Sequence, residues 1–275
     1  MRRLGAEAET LEDVFGWNLR FGPDVVGEQA FALMGVAGIL KPAGRRWRSS
    51  LAVASIGPLL FLHTAFRSKS KDAVFFGPDS VRFTDFIRAE LPVLRPDATI
   101  VDVGAGSGVG GLFAATLAPG RRVVLTDPNP EALRLAAVNA TFAGVEVEML
   151  RVEGFAGVAD APDLVLANPP YIAGSAEPLY AGGGGQLGAE LSLRWAREAA
   201  GRLAPGGTLL LYTGSAIVRG ADQLKAALQR ISNETNCDLR YRELDPDVFP
   251  GLLLKPAYWG VDRVAAVGAT LTRRT

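Results

Sequence analysis

Residues 99–111 read Thr-Ile-Val-Asp-Val-Gly-Ala-Gly-Ser-Gly-Val-Gly-Gly, and this run decides the fold. Its first five residues have the character of a buried strand, and a helical pattern, Gly110–Leu117, follows the glycines. Glycine lets the chain turn sharply between the two. It also brings backbone N–H groups against a ligand that any Cβ would hold away. Gly106, Gly108 and Gly111 match the spacing of a dinucleotide fingerprint, so a nicotinamide-dependent oxidoreductase and a ligand-free turn are both compatible with this stretch alone.

Outward from this run, strands alternate with helices, the pattern of a mostly parallel sheet covered on both faces. The strands expected are Thr99–Val103, Arg122–Thr126, Val145–Leu150, Leu164–Ala167 and Thr208–Tyr212, closed by Leu239–Glu243 and Asp262–Gly268. The helices expected between them are Gly110–Leu117, Pro130–Phe142, Ala189–Arg202 and Ala221–Arg230. Pro130 suits a first helical turn, and Gly144 sits where a glycine stop belongs. The second strand runs into Leu125-Thr-Asp-Pro-Asn129. An aspartate at that tip is placed to accept both hydroxyls of a ribose, because ligands in such sheets lie across the carboxyl ends of the strands. Asp102, inside the first strand, would repel a pyrophosphate and favours a cationic ligand instead.

Composition narrows the field. The chain has 275 residues, 48% hydrophobic and 21% charged, enough for one large domain or an ordinary one with a smaller companion. Its 29 basic and 29 acidic residues cancel, so no global field advertises a nucleic-acid partner. The single cysteine, Cys237, and single histidine, His63, exclude an internal disulfide and a multi-histidine or thiolate metal cluster. The N-terminus, MRRLGAEAETLEDVF, lacks an apolar core of signal-peptide length. The longest apolar stretch, Leu51 to Leu62, contains Gly57-Pro58 and falls short of the roughly 20 residues that span a bilayer. A cytoplasmic protein without a membrane partner is expected.

Residues 8–40 suggest two helices, one carrying Glu7, Leu11, Val14 and Phe15, the next Val26, Ala30, Leu33, Met34 and Ala37. KPAGRRWRSS (41–50) reads as a basic turn, and SLAVASIGPLLFLHTAF (50–66) as two strands joined at Gly57-Pro58. Residues 1–73 are thus expected to form a helical cap with a linking hairpin, concerned with substrate recognition. Arg45, Arg46, Arg48 and an exposed-looking Trp47 make 45–48 the candidate docking point of that cap. His63 is expected to be a hairpin residue.

A third stretch, Asp163-Leu-Val-Leu-Ala-Asn-Pro-Pro-Tyr-Ile172, is a strand that runs into an asparagine, two prolines and a tyrosine. Consecutive prolines stop a ladder and fix a rigid corner. The asparagine side chain and the adjacent carbonyls, left without ladder partners, must point at something.

VDVGAGSG (101–108), LTDPNPEAL (125–133) and LANPPYI (166–172), in this order, resemble the class I methyltransferases that use S-adenosylmethionine. Asn-Pro-Pro-Tyr resembles the subset acting on nitrogen. With the N-terminal helices, the hairpin and GGGGQLGAE (182–190), the chain is most similar to the HemK-like protein glutamine N-methyltransferases, which modify release factors or a ribosomal protein. The resemblance covers about residues 74–268; the first 70 residues do not match that family's release-factor-reading part. It implies a Rossmann-like, seven-stranded, mostly parallel sheet with an antiparallel last strand over residues 74–275. It implies S-adenosyl-L-methionine held by Asp102, Gly104, Ala105, Gly106, Gly108, Asp127, Pro128, Asn129, Glu153 and Asn168. The substrate amide falls to Phe76, Asn168, Pro169, Pro170 and Tyr171: Asn168 and the Pro169 carbonyl accept its N–H groups while Tyr171 covers its face.

An amide nitrogen is a poor nucleophile because its lone pair is delocalised into the carbonyl. Fixed acceptors that turn this lone pair toward the methyl group need no reorganisation, and losing one such partner typically costs about 2.7–4 kcal/mol of barrier. In-line positioning contributes about 7–11 kcal/mol more, so neither metal nor strong base is required. An adenine-amine or small-amine methyltransferase shares this chemistry, although a base substrate calls for a basic channel. A non-catalytic adenosine-binding module would have no use for the Asn168 corner. The loop 243–250 either rims the pocket or is an acidic surface turn.

Overall fold

The computed structural model describes residues 6–66, 68, 70–158, 161–173 and 182–275. Met1–Gly5, the start of the N-terminal stretch read above, lies outside them. Three short helices open the chain: α1 (Leu11–Phe15), α2 (Pro23–Val26) and α3 (Glu28–Val36). Thr10 caps α1 reciprocally, its Oγ1 accepting from Asp13 N at 3.2 Å while Asp13 Oδ2 accepts from Thr10 N at 3.2 Å. Two helices were expected here. Gly27, at φ +81°, breaks Val26 from the helix that follows and makes three. Of the expected second apolar face only Met34 is fully buried; Leu33 points to solvent.

The basic stretch 41–50 is a hairpin rather than a turn. Its strands are β1 (Leu40–Ala43) and β2 (Arg46–Ser49), and Phe21 and Trp47 exchange backbone hydrogen bonds of 2.9 and 3.0 Å across a bridge beside it. Trp47 is half-buried, not exposed: its ring meets Phe31 edge-on at 5.9 Å within a small core of Val14, Phe21 and Met34. Arg46 pairs with Glu7 and Asp24, and Arg48 donates to the Asn18 carbonyl. Trp47 and Arg48 of the expected docking point thus pack into this cap, while Arg45 is exposed. The second hairpin, β3 (Leu51–Ile56) with β4 (Leu59–Thr64), turns at Gly57-Pro58 as read from the sequence.

After α4 (Pro78–Glu90) come β5 (Thr99–Val103), α5 (Val109–Leu117), β6 (Arg122–Thr126), α6 (Pro130–Ala143), β7 (Glu148–Leu150), β8 (Leu164–Ala167), α7 (Glu190–Arg202), β9 (Thr208–Val218), β10 (Ala221–Asp222), α8 (Gln223–Glu234), β11 (Cys237–Asp245) and β12 (Arg263–Arg273). The main sheet has the order β11-β12-β9-β8-β5-β6-β7. Strands β7, β6, β5, β8 and β9 pair in parallel, and β12 lies antiparallel between β9 and β11. This is the expected seven-stranded α/β sheet with its antiparallel last strand. The expected lengths differ at its far edge. Strand β9 runs on to Val218 because β12 pairs with it from Thr272 to Arg263, and residues 221–222, expected in a helix, pair with β9 before α8 starts.

Alternation within β5 sets the layers. Ile100 packs with α4, α5 and α6, whereas Val101 and Val103 pack with α7. Asp102 falls on the same face as Ile100, directly beneath the first turn of α5. There Gly110 and Gly111 have no Cβ to clash with it: one added at Gly110 would stand 3.0 Å from either Asp102 oxygen.

Candidate active site

A cavity of about 810 Å³ opens at the carboxyl ends of β5, β6 and β8, the location expected for a ligand in an open parallel sheet. Its acidic end is built locally. Gly104 (φ +65°) and Gly106 (φ +56°) turn the chain out of β5, and a Cβ on Gly104 would stand 2.5 Å from the Trp195 ring. Gly106 faces open space in the cavity wall, so a side chain there would fill the ligand's room. Asp102 is buried and accepts from Gly111 N at 2.7 Å. Burial pushes its carboxyl up to about 7, opposed by the Gly111 N–H, reinforced by the charge of Asp127 and opposed by the Gly110 N–H. Asp127, at the tip of β6, accepts from Gly106 N (2.9 Å) on one oxygen and Asn129 N (2.8 Å) on the other. Burial raises its pKa against these two bonds. Each Asp127 oxygen keeps lone pairs for a diol. The Ser107 hydroxyl oxygen is buried in the same wall with no hydrogen-bond partner among the described residues.

The opposite wall is the corner after β8. Asn168 and Pro170 line the cavity, Pro169 is buried beneath them, and the Asn168 side chain makes no hydrogen bond to another described residue. The glycine-rich segment lies directly against this corner. A Cβ on Gly183 would stand 2.5 Å from Tyr171 Cα, and one on Gly188 (φ +90°) 2.0 Å from the Tyr171 carbonyl oxygen. Gly183 N donates to Ile172 O at 2.9 Å, and Gly185 N donates to Glu190 Oε2 at 2.6 Å. GGGGQLGAE is thus a backing for the Asn-Pro-Pro corner, and its Gly182–Gly184 and Glu190 also line the cavity.

Most residues singled out in the sequence converge here. Asp102, Gly104, Ala105, Gly106, Asp127, Pro128, Asn129, Glu153, Asn168 and Pro170 all line the one cavity, with Glu153 held by Arg194. Four of the expected site residues, Gly108, Pro169, Phe76 and Tyr171, stand elsewhere. Gly108 (φ +84°) caps α5 and faces Leu112 and Ala136. Pro169 is buried behind the wall. Phe76 lies between Phe61 and His63, stacked on the latter at 5.2 Å, while its neighbour Phe75 lines the cavity. His63 stays a hairpin residue, its pKa lowered by burial. The Tyr171 ring, expected over the substrate amide, is buried away from the cavity, packed on Gly214 with its hydroxyl on Asp79. None of residues 243–250 lines the cavity, so the loop after β11 does not rim it. Phe249 approaches the Tyr171 ring at 6.5 Å, and at the end of the corner the Tyr258 hydroxyl accepts from Ala173 N at 2.8 Å.

Sequence reading missed Trp195, Arg194 and Leu191 of α7 and Phe83 of α4, which also line the cavity; Phe75 and Ser80, which line it too, belong to the stretch Phe75–Ser80 that the resemblance marked as closing over the site. The only signal for Trp195 was the bare Cα of Gly104, and nothing local says which ring would cover it.

Comparison with known proteins agrees with this architecture. A family model described as "Methyltransferase small domain" matches residues 73–233. A release factor glutamine methyltransferase of Cereibacter sphaeroides is 35% identical over 56% of this chain and 60% of its own length. One from Moorella thermoacetica is 33% identical over 70% of this chain and 74% of its own. The chain thus spans about three fifths of the Cereibacter relative. A putative transferase of Pyrococcus horikoshii shares the fold at a TM-score of 0.56 and 14% identity, over 90% of this chain and 83% of that one. With the glycine turn, the paired aspartates and the Asn-Pro-Pro corner on one cavity, and a family match over more than half its length, the chain belongs to the methyltransferase small domain family.

Proposed function

We propose that this chain is an S-adenosylmethionine-dependent N-methyltransferase whose substrate is a protein glutamine side-chain amide, with a bacterial-type release factor the first candidate and a ribosomal protein the second. The observation that carries the reading is Asn168: a side chain without a described partner, on a proline-locked corner, in the wall of the cavity that holds Asp102, Gly106 and Asp127. The residues fit the cofactor. Gly106 leaves open a space that a Cβ would occupy, Asp127 offers two oxygens to a ribose diol, and the Ser107 hydroxyl, in the same wall, has no partner among the described residues. Asp102 and Asp127 give this end the negative charge a sulfonium and an ammonium group call for.

Bound there, S-adenosylmethionine supplies a methyl carbon made electrophilic by its sulfonium. The chain's own work is positional. Asn168 Oδ1 accepts one N–H of the substrate amide, and a carbonyl of the proline corner accepts the other, which turns the nitrogen lone pair out of conjugation and toward the cofactor end. Phe75, at the cavity wall, supplies apolar cover for the aliphatic part of a glutamine side chain. Residues 1–73 form the part concerned with recognising the substrate, and residues 74–275 carry the chemistry. Among the described residues no helix is long and apolar enough to cross a membrane, in keeping with a cytoplasmic substrate.

The test is to incubate the purified chain with a release factor and S-adenosylmethionine carrying a deuterated methyl group, then locate the label by fragment-ion mass spectrometry. One labelled methyl on a glutamine side-chain amide is expected. Label found only on nucleic-acid adenine or on a free amine would replace the protein-amide reading.

A further inference from the structure

The Asp79 carboxylate sits at the first turn of α4, buried, and receives two tyrosine hydroxyls: Tyr171 donates to Oδ2 at 2.7 Å and Tyr212 to Oδ1 at 2.8 Å. Tyr171 is the residue that follows the Asn168-Pro-Pro corner. Its ring is held on the other sides as well. Gly214 of β9 has no Cβ, and one added there would stand 2.3 Å from the ring; Phe249 closes from the loop after β11. Arg82, one turn along α4, lies 3.6 Å from Asp79 Oδ1 and donates to Asp245 at 2.7 Å, which ties the end of β11 to the same charge. Burial, the Asp79 charge and the Tyr212 hydroxyl all push the Tyr171 pKa upward, so its hydroxyl stays a donor.

We propose that Asp79 is a positioning residue for the transfer reaction: through the Tyr171 hydroxyl it fixes where the Asn168 corner stands relative to the cofactor end of the cavity. Tyr171 is then a strut of the corner and not a cover for the substrate. The geometry makes the link specific. Asp79 precedes Ser80 by one residue and Phe83 by four, and both line the cavity, so one carboxylate joins the α4 wall to the corner wall. A shift of about 1 Å in such a site costs roughly 100-fold in rate. Tyr212, on β9, uses the other carboxylate oxygen and belongs to the sheet core, so it supplies an internal control.

The inference rests on the N-methyltransferase reading, and its test has one arm that needs no substrate. Asp79→Asn and Tyr171→Phe should each lower kcat at least tenfold, with S-adenosylmethionine Kd within twofold of wild type, and the double variant should be no worse than the poorer single one. Hydrogen exchange of backbone amides 171–173 should accelerate in both singles. Tyr212→Phe should keep kcat and that exchange within twofold of wild type. Equal loss in Tyr212→Phe and Tyr171→Phe, or unchanged exchange at 171–173 in Asp79→Asn, would overturn the proposal. If Asp79→Asn does not fold, the Tyr171→Phe and Tyr212→Phe pair decides by itself. If the wild-type chain methylates no glutamine, the functional reading falls while the exchange comparison still decides the strut.

Discussion

The two ends of the cavity are built by opposite means. At the acidic end the hydrogen bonds that hold the carboxylates are local: Gly106 N holds Asp127 across 21 residues, Gly111 N holds Asp102 across nine, and Asn129 N holds Asp127 across two. At the amide end the corner is supported from far away. Tyr171 meets Asp79 across 92 residues, Ala173 N meets Tyr258 across 85, and the glycines 183 and 188 press on the corner's backbone. The difference teaches that the turn proposed to hold the cofactor can be carried by a short stretch of chain, whereas the corner proposed to orient the reacting amide is fixed by its surroundings.

The largest expected effect separates the ends outright. Asn168→Ala should lower kcat by about 10²–10³, the loss typical of one preorganised hydrogen-bond partner, measured by methyl incorporation under saturating cofactor. Near-normal turnover would make Asn168 a turn residue. Next comes the support of the corner. Gly188→Ala places a Cβ on the Tyr171 carbonyl at a φ of +90°, so a cost of about 1–3 kcal/mol in stability is expected, together with a fall in kcat larger than any change in cofactor affinity. Denaturant titration and steady-state kinetics check both.

The acidic end should respond to pH instead. The Asp102 carboxyl titrates near 7 in the folded chain and near about 3.9 when unfolded. The folded state therefore binds the extra proton across that window, and stability falls as pH rises through it, by at most roughly 4 kcal/mol. Asp102→Asn should flatten the melting temperature between pH 5 and 8 and raise it at pH 8, while weakening binding of the cationic cofactor. A pH profile parallel to wild type would remove Asp102 from this role. The smallest effect is expected at the cap. The Arg46 pairs with Glu7 and Asp24 are solvent-exposed, so Arg46→Ala should cost about 0–1 kcal/mol and leave KM unchanged. A several-fold rise in KM would restore 45–48 as a docking point.

The same contrast explains what the sequence disclosed. Asp102, Gly104, Gly106 and Asp127 were legible because strand, turn and acceptor lie within one βαβ unit. The position of Asn168 was legible from the two prolines. The direction of the Tyr171 ring was not, since Gly214 and Asp79 decide it and neither neighbours it in the chain. Trp47 was misread for a related reason: its bridge to Phe21 and its contact with Phe31 are tertiary, and a basic Gly-containing stretch looks the same in a turn or a hairpin. The lengths of β9 and β12 came from their mutual pairing, beyond the apolar run that marked each strand.

Calorimetric titration of S-adenosylmethionine into Asp127→Ala and Asn168→Ala, side by side with wild type, tests the division of the cavity most directly. Affinity at least tenfold weaker in Asp127→Ala and within twofold of wild type in Asn168→Ala is the result predicted. Full affinity in Asp127→Ala with binding lost in Asn168→Ala would contradict it, and would place the cofactor on the corner instead of the glycine turn.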